Sequence, residues 1–305
     1  MLVKRIHIGI SGWRYAPWRG DFYPEGLKQR EELAFASRAV SSIEINGSFY
    51  ALQTPERYAG WASETPDGFC FAVKAPRYIT HIRRLDDVAT PIANFFASGP
   101  LQLGKKLGPI LWQFPPSMAF DEQRFGEFLA LLPKDTEQAL RQARQADRQQ
   151  DGGLEAPHHQ KLRHAVEIRH ASFLDPAFIK LLRQHKVALV FADSAGKWPY
   201  AEDLTSDFVY LRLHGNNKLY ESGYDDEALE HWHQRIATWS RGQHPGDAQL
   251  VDAHKPRARA SRDVYCYFDN DLKVRAPYDA YSLLEKFNLA KALPNAPGRS
   301  PGAVS

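Results

Sequence analysis

Eight short runs rich in β-branched and aromatic residues recur along this 305-residue chain: IHIGIS (6–11), SIEIN (42–46), FCFAVK (69–74), PILWQF (109–114), AVEIRH (165–170), ALVFAD (188–193), FVYLRLH (208–214) and DVYCYFDN (263–270). Segments with helical spacing of apolar residues lie between most of them, at 30–39, 55–63, 123–132, 176–184 and 227–239. Strands alternating with helices specify a parallel sheet, because each crossover returns the chain to the same edge. Eight such units close on themselves. The predicted fold is therefore α/β, a single (β/α)8 TIM barrel over residues 1–292. An open doubly wound sheet would place a Gly-rich phosphate turn after its first strand. Here that strand runs into Ser11-Gly12-Trp13-Arg14, which does not match.

Two polar segments interrupt the pattern, at about 134–163 and 241–262. Each falls between a helix and the next strand, which on a barrel is the N-terminal face, away from chemistry. The second carries Arg241, Lys255, Arg257, Arg259 and Arg262 and reads as a solvated insertion. Residues 293–305 (PNAPGRSPGAVS and the leucine before it) read as a disordered tail. No run approaches the ~20 apolar residues of a membrane span, and the opening MLVKRIHIGISGW holds no signal-peptide core. A cytoplasmic protein with no membrane partner is expected. Cys70 and Cys266 sit in apolar runs and read as buried thiols. With 39 basic against 36 acidic residues, the net charge of +3 gives no footprint for nucleic acid by itself.

Side chains alternate between the two faces of a strand. Glu44 and Asn46 oppose Ile43 and Ile45; Glu167 and Arg169 oppose Val166 and Ile168; Tyr210, Arg212 and His214 oppose Val209, Leu211 and Leu213. Lys74, Gln113 and Asp193 stand at or near the ends of their strands. Polar residues thus crowd one face and the C-terminal ends, where barrel enzymes keep their catalytic groups. Glu44, Asn46, Lys74, Gln113, Glu167, Arg169, Asp193, Arg212 and His214 form the candidate site. The plain alternative is a balanced ion-pair network that only fixes the barrel.

The motifs GISGWRYAPWRGDFYP (9–24), SSIEINGSFY (41–50), LGPILWQFPP (107–116), AVEIRHASF (165–173), YLRLHG (210–215) and YFDN (267–270) resemble the YecE-like family, domain of unknown function 72. The resemblance spans Ile6 to about Leu289. It implies a TIM barrel and no established reaction. The family pattern falls on Trp13, Tyr15, Trp18, Gly20, Glu44, Asn46, Phe49, Tyr50, Lys74, Gln113, Glu167, Arg169, Arg212, His214, Gly215 and Asn270. The chain departs from the pattern at Asp269 and Asp279, where the family commonly has asparagine.

Three cations at one mouth suit an anion, with Arg gripping carboxylate or phosphate bidentately and Lys adding a point charge. The leading reading is an enzyme, a hydrolase or isomerase, acting on a small anionic phosphate- or carboxylate-bearing substrate. Lys74, Arg169 and Arg212 would hold the anion, Glu44 or Glu167 would move protons with His214, and Asn46, Gln113, Asp193 and Asn270 would orient the ligand. Trp13, Tyr15, Trp18, Tyr50, Tyr220 and Tyr224 offer rings for stacking, or else a hydrophobic plug under the loops. A glycosidase pair of Glu44 and Glu167 is disfavoured, because the neighbouring cations keep both carboxylates ionised. No cofactor is expected. A divalent metal would have to use Glu167, His170, Asp193 and His214 against the same cations. The alternative is a binder of nucleic acid or a nucleotide, phosphodiesterase-like in its strongest form, using the mouth cations and the loop around Arg257.

Overall fold

The computed structural model describes residues 5–148, 154–216, 218–254, 256, 258–270 and 273–298. Eight strands, β1 (Ile6–Ser11), β2 (Ser42–Ile45), β3 (Cys70–Lys74), β4 (Leu107–Gln113), β5 (His164–Glu167), β6 (Ala188–Asp193), β7 (Phe208–Leu213) and β8 (Asp263–Phe268), pair in parallel and in chain order. The ring closes through β1 and β8, where Ile8 lies opposite Cys266 and Ile10 opposite Phe268. All eight predicted strands are present, and the fold is the expected closed α/β barrel. At Gly9 the β1 backbone runs so close to β2 that a Cβ would stand 1.6 Å from the Ser42 carbonyl oxygen.

The helices are α1 (Glu32–Ala36), α2 (Gly47–Tyr50), α3 (Pro55–Glu64), α4 (Ala89–Ala97), α5 (Glu122–Leu131), α6 (Thr136–Ala143), α7 (Pro176–His185), α8 (Asp226–Ser240) and α9 (Arg275–Lys286). Several begin on a side chain that accepts an otherwise unpaired N–H of the first turn. Asp121 accepts from Arg124, Asp135 from Gln138, Asp175 from Ala177 and Asp225 from Ala228. Pro55 and Pro176 occupy first-turn positions, where a missing N–H costs nothing. None of the helices among the described residues is long and apolar enough to cross a membrane.

Strand parity separates two cores. Ala72, Leu111, Ala165, Val190, Ala192, Tyr210 and Tyr267 pack together inside the barrel, while Ile8, Ile43, Val73, Trp112, Phe191 and Leu211 join the larger core between sheet and helices. Cys70 belongs to the inner core and Cys266 to the outer one; both are free thiols.

Both polar segments carry more structure than expected. Residues 134–163 contain α6, which packs on α4, and an antiparallel bridge from Asp135 to Lys161; residues 149–153 lie outside the described set. Between β6 and β7 the chain forms no helix, and the segment from 243 to 252 seals the gap. Buried Glu202 accepts from Gln249 N (2.9 Å) and Arg235 Nη2 (2.9 Å), and buried Asp203 accepts from Val251 N (2.8 Å) and Asp252 N (3.0 Å). Part of the supposed solvated insertion is therefore wall. The guanidinium of Arg262 is buried and donates to the Gly242 carbonyl (2.7 Å), whereas Lys255 and Arg257 lie outside the described residues. The tail is likewise corrected at its start: Asn295 is buried and binds the Phe35 and Arg38 carbonyls, and Gly298 N reaches Phe22 O. Residues 299–305 lie outside the described set.

Candidate functional site

At the C-terminal ends of the strands, Arg212 points inward from β7 with no exposed surface. Every nitrogen of its guanidinium is occupied. Nε and Nη2 grip Glu44 (3.2 and 2.9 Å), Nη1 reaches Glu167 (2.8 Å), and Nη2 also reaches Asp269 (2.8 Å) and Ser11 Oγ (3.3 Å). Burial pulls its pKa down, but Asp269, Glu44 and Glu167 outweigh this and hold it well above the ordinary value. Arg212 is the hub of the cluster, and with no exposed surface it presents no donor to a ligand. This corrects its expected role as an anion holder.

Glu44 is closed in the same way. Its Oε1 accepts from Ser11 and Arg212, and its Oε2 from Tyr210 (2.6 Å) and Arg212. Glu167 accepts from Arg212 at one oxygen and from Arg169 Nε (2.9 Å) at the other. Burial opposes its ionisation, yet Arg212 and Arg169 bring its pKa well below the carboxylate range. One guanidinium fills the space between the two glutamates, which removes the open gap a glycosidase pair needs. Neither is placed to move a substrate proton.

His214 also falls short of the open mouth. It is fully buried, with the rings of Trp198 and Tyr220 edge-on at 5.2 and 5.4 Å. Its Nδ1 lies 3.0 Å from Asp269 Oδ2, away from the line of a directed hydrogen bond, and its Nε2 is 3.8 Å from Glu167. Burial depresses its pKa against the pull of Asp269, so it is neutral at pH 7.

Three valences stay open around this saturated hub. Lys74, at the end of β3, is 7% exposed, and its Nζ makes no hydrogen bond or ion pair with any described residue. It rests 4.2 Å over the ring of Phe49. Burial, then the positive charge of Arg212, lowers its pKa to about 8 against the opposing pull of Glu44, Glu167 and Asp269. Arg169 stacks its guanidinium 3.6 Å over Trp198 and spends Nε and Nη2 on Glu167, which leaves Nη1 without an acceptor among the described residues. Asp269 spends Oδ2 on Arg212 and leaves Oδ1 without a donor among them. Burial opposes ionisation of Asp269, but the Arg212 guanidinium holds its pKa well below the usual range.

Gln113, opposite Glu167 in the β4–β5 pair and two residues beyond the Leu111 that pairs with Lys74, has its Nε2 3.3 Å from His81 Nε2. His81 stands edge-on to Phe49, and burial, then Lys74, lowers its pKa to about 4. Asn46 caps β2, its Oδ1 buried and unpaired among the described residues. Tyr50 is 71% exposed at the rim against Phe49.

Other expected members do not join the cluster. Asp193 follows the inward Ala192 and faces out of the barrel, where it accepts from Tyr224 OH (2.9 Å) and lines a cavity of about 610 Å³ against α8. Tyr224 is spent on Asp193 and the Gly215 N–H (3.1 Å). Asn270 turns to α9 and binds Asp279 (2.7 Å), whose pKa burial raises to about 6. Trp13 packs edge-on against Trp61, Tyr15 donates to the Ser11 carbonyl, and Trp18 is buried against Phe22 and Tyr23, so these rings form the plug. His170 binds Ser172, and no group of three His, Cys, Asp or Glu side chains among the described residues is arranged to hold a metal.

Residues 7–302 match the family model described as protein of unknown function DUF72. The chain belongs to the DUF72 family. It is 26% identical over 292 residues to the UPF0759 protein YecE of Escherichia coli K12, covering 89% of this chain and 94% of that protein. To the UPF0759 protein YunF of Bacillus subtilis it is 31% identical over 119 residues, 36% of this chain and 40% of that one. Solved DUF72 structures from Thermotoga maritima and Enterococcus faecalis share the fold. The first has a TM-score of 0.70 at 24% identity, covering 93% of this chain and 99% of that one; the second has 0.66 at 18%, covering 93% and 96%. Among the residues that carried the DUF72 resemblance, Glu44, Lys74, Gln113, Glu167, Arg169, Arg212 and His214 stand in or against the cluster. Asp269, a departure from the pattern, stands at its centre. The parity rule would have found it, because Tyr265, Tyr267 and Asp269 alternate inward. Trp198 lies on an irregular turn and His81 in a single π-helical turn (Tyr78–Ile82), neither of which carries a periodic signal.

Proposed function

We propose that the mouth is the active site of an enzyme acting on a small anionic substrate, bearing phosphate or carboxylate. The observation that carries this reading is the inequality of the three cations. Arg212 is saturated by three carboxylates, whereas Lys74 is buried with none. A buried cation without a partner costs free energy that a purely architectural network would avoid. Lys74 Nζ and Arg169 Nη1 take the anion, and Gln113 and Asn46 offer neutral hydrogen-bonding groups beside it. At neutral pH Asp269 Oδ1 is an ionised acceptor, and Lys74 is the group whose proton is most easily removed. Two free buried thiols suit a reducing cytoplasm.

Thermal unfolding in the presence of sugar phosphates, nucleotides, dicarboxylates and oligonucleotides tests the reading. An anion at ~100 times its dissociation constant adds about 2.7 kcal/mol, or about 4 °C for a chain of this size. That shift is expected in the wild type and lost in Lys74→Met and Arg169→Met. A wild type whose midpoint none of these anions moves would overturn it.

A further inference from the structure

We infer that Lys74 is a nucleophile, and that the substrate is an anionic aldehyde or ketone whose carbonyl carbon its Nζ attacks to form an imine. This rests on the anionic-substrate reading above and names the reacting group. Three observations carry it. Nζ is unpaired and faces an aromatic ring instead of a carboxylate, so nothing has to be broken to free its lone pair. It stands at the inward end of a barrel strand, held through its backbone carbonyl by Ser48 Oγ (2.7 Å). The charges around it also balance for the product: Glu44, Glu167 and Asp269 oppose Arg212, Arg169 and Lys74. Desolvation beside another cation is the environment that activates an amine, and it lowers the proton affinity of this one.

The step conserves atoms and charge. The ammonium gives up one proton, and the nitrogen lone pair bonds to the carbonyl carbon as the C=O π pair moves to oxygen. That oxygen takes the released proton, giving a carbinolamine that is protonated on nitrogen. A second proton passes from nitrogen to the hydroxyl, the C–O bond breaks with loss of water, and the nitrogen pair forms C=N. Nitrogen keeps its last proton, so this product is the iminium, and ammonium plus carbonyl yields iminium plus water. The single positive charge stays on the nitrogen, where the field of Glu44, Glu167 and Asp269 opposes that of Arg212. Arg169 Nη1 holds the anionic end of the substrate.

Glyoxylate, the smallest anionic aldehyde, with cyanoborohydride at pH 7.5 reads this out by peptide mass mapping. Lys74 is expected to carry the reduced adduct roughly tenfold faster than exposed Lys28, since its larger neutral fraction outweighs its lower basicity. Excess oxalate, which is anionic but has no aldehyde, should slow the labelling. Lys74→Arg should abolish the adduct at this site while keeping the oxalate-induced rise in midpoint. Adducts spread over exposed lysines, with Lys74 unmodified, would overturn the inference. If oxalate still stabilises the protein in that case, the anion site stands and only the imine falls. If neither oxalate nor glyoxylate acts on the wild type, the imine falls, and the wider panel of anions decides the anionic-substrate reading.

Discussion

At the scale of single residues, the cluster divides into groups that hold and groups that are held open. Arg212→Met would strand Glu44, Glu167 and Asp269 without their common partner. Removing one member of a buried ion pair costs about 3–5 kcal/mol, and at least that loss is expected in urea unfolding; a loss under about 1 kcal/mol would show that the hub is dispensable. Glu167 and Asp269 both have folded-state pKa values well below the unfolded value of about 4. Their stabilisation is therefore complete above that value and drains away as pH falls through it towards the folded one. Urea midpoints should fall with growing slope as pH drops below about 4, and Glu167→Gln, though less stable at pH 7, should flatten that slope. Strand parity made the inward polar positions legible in sequence, and it was misapplied at Asp193, which is one residue out of phase with Ala192. What sequence could not convey is saturation. That Arg212 is fully engaged and Lys74 is not depends on which strands neighbour each other and on distances across the barrel.

Among the elements, all eight strands were legible because each is a compact apolar run between turn signals, with ends within two or three residues of those read. Between β6 and β7 no helical spacing was read and none forms; what sequence did not convey is that this segment is bonded to a loop more than forty residues away. Asp203 anchors that patch, so Asp203→Ala should cost about 1–3 kcal/mol through unpaired N–H groups. It should also speed hydrogen exchange at Val251 and Asp252 while leaving β-strand amides protected. Unchanged exchange there would mean the loop is held by other contacts. Gly9 sets the β1–β2 approach: a Cβ 1.6 Å from the Ser42 carbonyl oxygen cannot be accommodated without separating the strands. Gly9→Ala is expected to abolish cooperative unfolding at 25 °C, as measured by circular dichroism.

Across the whole molecule, stability and site pull in opposite directions. The barrel satisfies most of its inward charges through one arginine and leaves one lysine desolvated and unpaired, which a fold selected for stability alone would replace. The sign follows from linkage. Lys74 has a folded pKa of about 8, below its ordinary 10.5, so the cost of burying its charge is fully present below pH 8. Stability then rises with pH as the folded form loses a proton that the unfolded chain keeps. Methionine keeps the length and the contact with Phe49 without the charge. The decisive measurement is the unfolding free energy of Lys74→Met against wild type at pH 7 without ligand. A variant more stable by about 1–3 kcal/mol is what the account predicts. A variant less stable than wild type would mean that Lys74 belongs to the architecture, and would contradict it.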